Sequence, residues 1–196
     1  MKRLFLPVLA LLFATLIIAV LPTEAEAAIY TDTVRLHILA ASDSKEDQSL
    51  KLEIRDEVLK KYGNELKTAK DTDEAKAKIS RLIPEIEAFV EAEIKKRGYN
   101  YKATVTLGEE WYDTREYERF TLPAGNYTSL RIIIDEGEGA NWWCVMFPPL
   151  CLDVASENAP SDDGIIDYTK EEINLITGNK YNVKFKVLEV LSSAFG

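Results

Sequence analysis

One histidine, His37, and two cysteines, Cys144 and Cys151, are all that this 196-residue chain brings to the commonest catalytic and metal chemistries. The cysteines stand seven positions apart, and neither C-x-x-C nor H-x-x-x-H spacing occurs. His37, Asp43, Cys144 and Cys151 therefore make no zinc pattern, and no metal or cofactor is expected. A G-x-S-x-G elbow is missing too. A hydrolase would have to pair His37 with Asp43 and Ser42 or Ser44, and Ser44 is better explained as a helix cap. A Cys144–His37 pair would need a free thiol in an oxidising compartment. Gly137-x-Gly139 is too short for a phosphate loop and precedes a strand, not a helix. Basic charge is also in short supply, with 24 Lys+Arg against 33 Asp+Glu, a net charge of −9 and no basic stripe. Phosphate binding needs a basic footprint, so nucleic acid is excluded as a partner and anionic membrane surfaces are disfavoured. Among 33 acids a carboxylate pair suited to glycoside cleavage arises by chance and carries no information. Neither an enzyme nor a small-molecule substrate is predicted. There is no internal repeat and no low-complexity tract.

What is present begins with an export signal over residues 1–27. Lys2 and Arg3 form a positive start, Leu4 to Leu21 is apolar apart from Pro7 and Thr15, and Ala25-Glu26-Ala27 fits the small-x-small cleavage pattern. Cleavage after Ala27 starts the mature chain at Ala28. The alternative is an uncleaved anchor, since about 18 apolar residues just span a bilayer, and it would be the chain's one membrane contact. On either reading the remainder is exported. Two cysteines in an exported chain are expected to pair, here Cys144 with Cys151, and closing so short a loop stabilises by roughly 2–3 kcal/mol on the chain-entropy estimate.

Asn141-Trp142-Trp143-Cys144-Val145-Met146-Phe147-Pro148-Pro149-Leu150-Cys151 concentrates two of the three tryptophans, both cysteines and a Pro-Pro step. Trp142 to Phe147 reads as a strand, ended by prolines that lack the donor a ladder needs. Both of its faces are apolar: Trp142, Cys144 and Met146 on one, Trp143, Val145 and Phe147 on the other. Such a strand is either a core strand covered on both sides or, where helices cover one side only, an apolar patch for a partner.

Ahead of it the periodicities divide the chain. Val34 to Ala40 alternates as a strand, with Val34, Leu36, Ile38 and Ala40 on one face and His37 on the other. Ser44, followed by Asp47, predicts a helix from near Lys45, with Leu50, Ile54 and Val58 on its apolar face and Gly63-Asn64 as its end. A second helix is predicted from Asp71-Thr72-Asp73-Glu74 to Gly98, with Pro84 kinking or restarting it. Tyr101, Ala103, Val105 and Leu107 alternate as a half-buried strand, Glu109 to Arg115 reads as a connection, and Tyr117 to Leu122 as an edge strand. Pro123 to Asn126 is a turn, Tyr127 to Asp135 a strand made central by Ile132-Ile133-Ile134, and Gly137 and Gly139 punctuate a hairpin. Residues 154–168 read as a surface loop and 169–196 as a C-terminal helical segment, a short helix over Thr169–Thr177 and a second over Val183–Leu191 whose first half alternates like a strand. The fold class is α+β: one domain over 28–196, an antiparallel-dominated mixed sheet with two main helices packed on one face, plus a C-terminal helix.

Two segments together resemble the stage II sporulation protein R family of endospore-forming bacteria. They are Arg35-Leu-His-Ile-Leu-Ala-Ala-Ser-Asp-Ser44, continuing through Asp47-Gln48 and Lys51-Leu52 to Arg55-Asp56, and Leu122-Pro-Ala-Gly125 through Tyr127, Leu130-Arg131 and Asn141 to Cys151. With the elements between, the resemblance covers roughly residues 33–153. Ala41 stands where the family usually has Asn, and Asp135 where Gly is common, both at loop junctions. The resemblance implies a signalling protein, made in the forespore and exported into the space between forespore and mother-cell membranes. There it would trigger a membrane-embedded aspartic-type protease, stage II sporulation protein GA, to cleave pro-sigma-E. On that reading Trp142, Trp143, Phe147, Pro148, Pro149 and Leu150 form or support the receptor-contacting surface. His37, Asp43 and Ser44 organise the first strand–helix corner and are candidates for a place near the partner. The alternative from another class is a cell-envelope hydrolase or glycan-binding module, its aromatics stacked on sugar rings.

Overall fold

The computed structural model describes residues 7–11, 13–15, 24–117, 120–148 and 169–177. Its elements run α1 (Glu24–Thr31), β1 (Val34–Leu39), α2 (Lys45–Leu66), α3 (Thr72–Lys96), β2 (Ala103–Tyr112), β3 (Arg115–Glu116), β4 (Thr121–Leu122), β5 (Gly125–Ile134), β6 (Asn141–Phe147) and α4 (Lys170–Thr177). Residues 7–11 and 13–15 are helical. The chain divides into two compact units, one of Ile29–Glu110 with Asn126–Thr169, the other of Met1–Ala28, Trp111–Gly125 and Lys170–Gly196.

The first unit holds a four-stranded mixed sheet in the order β2-β5-β1-β6. β1 runs parallel to β5, with Leu36 opposite Leu130, and antiparallel to β6, with Leu36 opposite Cys144. Because β1 lies between them, β5 and β6 do not form the hairpin expected from Gly137 and Gly139. The 135–140 connection instead crosses the end of β1, where the Gly139 amide donates to the Ala40 carbonyl at 2.9 Å. The expected central place of the Ile132-Ile133-Ile134 run holds. The Trp-Trp strand lies at the margin of the described strands, and at its far end Val145 and Phe147 oppose Arg35 and Val34, leaving Met146 as an extra residue. The Phe147–Pro148 peptide is cis.

Sequence alternation decides what this sheet presents. Val34, Leu36 and Ile38 are fully buried on the face that meets α2 and α3. α2 contributes Leu50, Ile54 and Val58 and α3 contributes Ala75, Ile79, Ile86, Val90 and Ile94, all at most 2% exposed. Burying each of the larger aliphatic side chains contributes about 1.5–3 kcal/mol. Ser44 caps α2 by accepting from the Asp47 amide at 3.1 Å, and Asp71 caps α3 by accepting from Glu74 at 2.8 Å. Gly98 follows α3 with φ of 86°. Pro84 stays inside a continuous α3, and Gly63 inside α2, which does not stop there because Tyr62 and Leu66 bury against the core.

β2 continues through Glu109–Tyr112, which the sequence had marked as a connection. In the second unit the expected 117–122 strand is a two-residue hairpin of β3 and β4, with Arg115 opposite Leu122. Its turn stacks Tyr117 on Phe120 at 4.6 Å, and α4 packs against β4. α4 matches the short helix expected over Thr169–Thr177. The helix expected over Val183–Leu191 and the loop over 154–168 lie outside the described residues. So does most of the apolar stretch expected to be an export signal. Among the described residues no helix is long and apolar enough to cross a membrane. α1 runs through the Ala27–Ala28 step, and Ile29 just beyond it is fully buried.

Candidate functional site

His37 sits on central β1, on the sheet face turned away from α2 and α3. Its two ring nitrogens reach in opposite directions across the strands. Nδ1 lies 2.9 and 3.1 Å from the two carboxylate oxygens of Glu110 on β2, and Nε2 lies 2.9 Å from Oδ1 of Asn141 on β6. An ionised carboxylate only accepts, so Nδ1 carries its hydrogen toward Glu110. Nε2 then either accepts from the Asn141 amide with its ends exchanged, or donates to its oxygen from a charged ring. Arg131 of β5 and Trp143 of β6 stand level with His37 on either side. The His37 and Trp143 rings stack with centroids 5.6 Å apart, and Arg131 Nε is 3.6 Å from Glu110 Oε1. Trp143, His37 and Arg131 thus make one row across the sheet, tied at one end by Glu110.

Burial along this face is graded. Arg35, Tyr127, Ser129 and Val145 are fully buried, His37 is 5% exposed, Trp143 is half-buried and Asn141 is exposed. The face opens toward the end of β1. With both nitrogens of His37 engaged by its own chain, neither is left to take a proton from a nucleophile. Ser42, Asp43 and Ser44 are elsewhere, so the Ser-His-Asp arrangement weighed from the sequence does not form.

Those three residues build the β1–α2 corner without His37. Ser42 Oγ donates to Asp47 Oδ2 at 2.5 Å and accepts from the Ser44 amide at 3.1 Å. The capping box is therefore reciprocal only through Ser42. Asp43 Oδ1 accepts from the Ala140 amide at 2.7 Å, Gln48 donates to the Ser42 carbonyl at 2.8 Å, and Lys51 Nζ donates to the Ala140 carbonyl at 2.7 Å. Lys51 is 4% exposed, and its ammonium is pushed below its ordinary range by burial, against the pull of Asp43 and with the push of Arg55. The corner and the 135–140 connection are one polar lock. Its residues are those of the upstream motif, and their work here is structural.

The tryptophans divide between the two faces. Trp142 is half-buried on the helix face under the Arg55 guanidinium, 4.9 Å from its ring centroid, and Asp56 holds Arg55 through a 2.7 Å bond. Trp143 belongs to the His37 row. Phe147 is 4% exposed and Pro148 is buried, so their part in any contact surface is support from beneath. Pro149, Leu150 and Cys151 lie outside the described residues, and with them the expected partner of Cys144, which is itself buried. Among the described residues no group of three or more His, Cys, Asp and Glu is placed to hold a metal. Glu110 is the residue that sequence reasoning missed. Its one signal is parity: it continues the Lys102, Thr104 and Thr106 face of β2 into what was read as a connection.

A family model described as stage II sporulation protein R matches residues 30–157. The Stage II sporulation protein R of Bacillus subtilis (strain 168) is 38% identical over 140 residues, covering 71% of this chain and 62% of that protein. The chain therefore matches somewhat under two thirds of that relative's length. No solved structure matches it.

Proposed function

The chain belongs to the stage II sporulation protein R family, and from that membership we propose that it serves sporulation as an exported signal that breaks no bond itself. On this proposal it is made in the forespore and crosses into the space between forespore and mother-cell membranes by means of residues 1–27. There it engages the membrane-embedded aspartic-type protease, stage II sporulation protein GA, which then cleaves pro-sigma-E in the mother cell. The observation that carries this reading beyond family membership is the marginal strand β6, which bears one half-buried tryptophan on each sheet face. Aromatic side chains held partly open on a rigid element are the usual anchors of protein interfaces. A Cys144–Cys151 bond would close the corner after Phe147 and fix that strand's end. His37, with both nitrogens occupied, favours a binding surface over an envelope hydrolase.

Co-expression of the exported domain with the receptor protease and pro-sigma-E in a non-sporulating host tests this. Processing that appears only when the domain is present is the expected result. Equal processing with and without the domain would end the signalling reading, and turnover of purified peptidoglycan lost with His37→Ala would replace it with the hydrolase.

A further inference from the structure

Glu110 stands on β2, three strands from β6, yet a chain of contacts through His37 joins it to two residues on the open face of β6, Asn141 and Trp143. Its two oxygens hold Nδ1 of His37 at 2.9 and 3.1 Å, the same ring meets Asn141 Oδ1 at 2.9 Å through Nε2, and its plane lies against Trp143. The relay runs at right angles to the strands, from β2 over β5 and β1 to β6, across all four described strands of the sheet. Few geometries fix an imidazole so fully. A carboxylate holding Nδ1 bidentately sets the ring's tautomer and tilt, as it does for histidines that ligate metals or serve as bases. Here the ring's other neighbours are an exposed amide and a half-buried indole, so what its orientation controls is the presentation of β6.

We propose that Glu110 is a positioning residue for the partner-contacting surface: acting through His37, it sets the orientation of Asn141 and Trp143, and Trp143 is the tryptophan of the pair that the receptor protease contacts. This rests on the signalling reading above and names the residues of its contact. Trp142 is the contrasting case, because the Arg55 guanidinium already lies over its ring. Arg131, level with His37 and 39% exposed in its side chain, flanks the same row. Glu110 is 20% exposed in its side chain, so its carboxylate stays partly hydrated and its removal leaves no buried orphan on β2. His37, at 6%, is the partner left short.

Two readouts separate positioning from mere stability. In a Trp111→Phe, Trp142→Phe background the remaining indole emission reports Trp143 alone, and acrylamide quenching reports how it is held. Glu110→Ala and Asn141→Ala, each removing one end of the relay, are expected to change Trp143 emission and quenching and to lower pro-sigma-E processing at least tenfold at equal folded protein. Glu110→Gln, which keeps an acceptor for Nδ1, is expected to restore most of both. Asn141 is exposed at the start of β6, so its variant keeps the test alive should Glu110→Ala fail to fold. Unchanged Trp143 emission in both alanine variants overturns the proposal, whatever happens to processing. Processing that survives Trp143→Ala but not Trp142→Ala overturns the choice of tryptophan. A wild-type domain that triggers no processing defeats the signalling reading instead, and the fluorescence result still stands or falls by itself.

Discussion

Gly139 shows how a single missing side chain shapes this molecule. A Cβ at that position would fall inside the carbonyl of Ser42 and reach the Ala40 side chain at 3.0 Å, and backbone cannot swing aside as a flexible side chain does. Gly139→Ala is therefore expected to cost about 1–3 kcal/mol, as overpacking of a tight contact does, read as a lowered urea midpoint with an unchanged slope. Asp135, four positions earlier, has a φ of 55°, the left-handed region that Asp tolerates and Gly enters freely. Asp135→Gly is expected to leave stability unchanged or raise it by up to about 1 kcal/mol. That gain would show in the same denaturation series, and a loss would mean that the carboxylate makes a bond worth more than the strain. The sequence marks Gly139 as part of a turn and Asp135 as the end of the strand before it. It did not reveal that the turn crosses a strand, because β1, nearly a hundred residues upstream, is invisible to any local pattern. Glu110 escaped for a related reason: a lone acid at the end of a strand is ordinary until its partner, 73 residues away, is known.

At the scale of elements, local chemistry and long-range pairing part company. Both main helices were legible because their caps and apolar spacing are written in adjacent residues: Ser44 and Asp71 at the starts, Leu50-Ile54-Val58 and Ile79-Ile86-Val90 along the faces. Pro84 does not restart α3, and the end of α2 was misread, since packing of Tyr62 and Leu66 outweighs the helix cost of Gly63, about 1 kcal/mol. Ser44→Ala is expected to cost about 1 kcal/mol through the lost cap. Ser42→Ala should cost more, because that hydroxyl both donates to Asp47 and accepts from the Ser44 amide. Equal losses in thermal unfolding would mean that the relay through Ser42 contributes nothing. Lys51 joins α2 to the 135–140 connection under a desolvation burden that lowers its pKa. With the folded value below the unfolded 10.5, the unfolded chain binds the extra proton between the two values, so this group's contribution rises with pH across that interval. The stability difference between wild type and Lys51→Met should therefore grow as pH approaches 10.5 from below, and a flat or falling difference would contradict the assignment.

For the whole molecule, the succession of one strand, two helices and several strands placed the fold class, while the order of strands in the sheet had to be seen. An α+β chain with this succession of elements is compatible with a simple meander, and nothing in residue spacing says that β1 parts β5 from β6. Trp142 and Cys144 take one face of β6 and Trp143 and Val145 the other, as alternation predicts, but the extra residue Met146 moves Phe147 opposite Val34, off the face of Trp143 to which alternation assigned it. Which tryptophan lay on the helix side depended on register, and register depends on the insertion of β1. The proposed Cys144–Cys151 bond acts at this scale, because Cys144 pairs with the centre of the sheet through Leu36. Intact mass after alkylation without reduction is expected to show no added label, and reduction should lower stability by roughly 2–3 kcal/mol. Two alkylated thiols in unreduced protein would dismiss the bond.

The insertion of β1 also sets a condition of timing. Its two neighbours, β5 and β6, lie some ninety to a hundred and ten residues downstream, so β1 waits without either flank while everything between is synthesised. A nascent chain halted before Asn141 can hold β1 on one side only, and it has no tryptophan row to show. The surface argued for above comes into being only with β6, the last of the described strands of the sheet, so on the proposed reading a copy cut before Asn141 has no such surface to present.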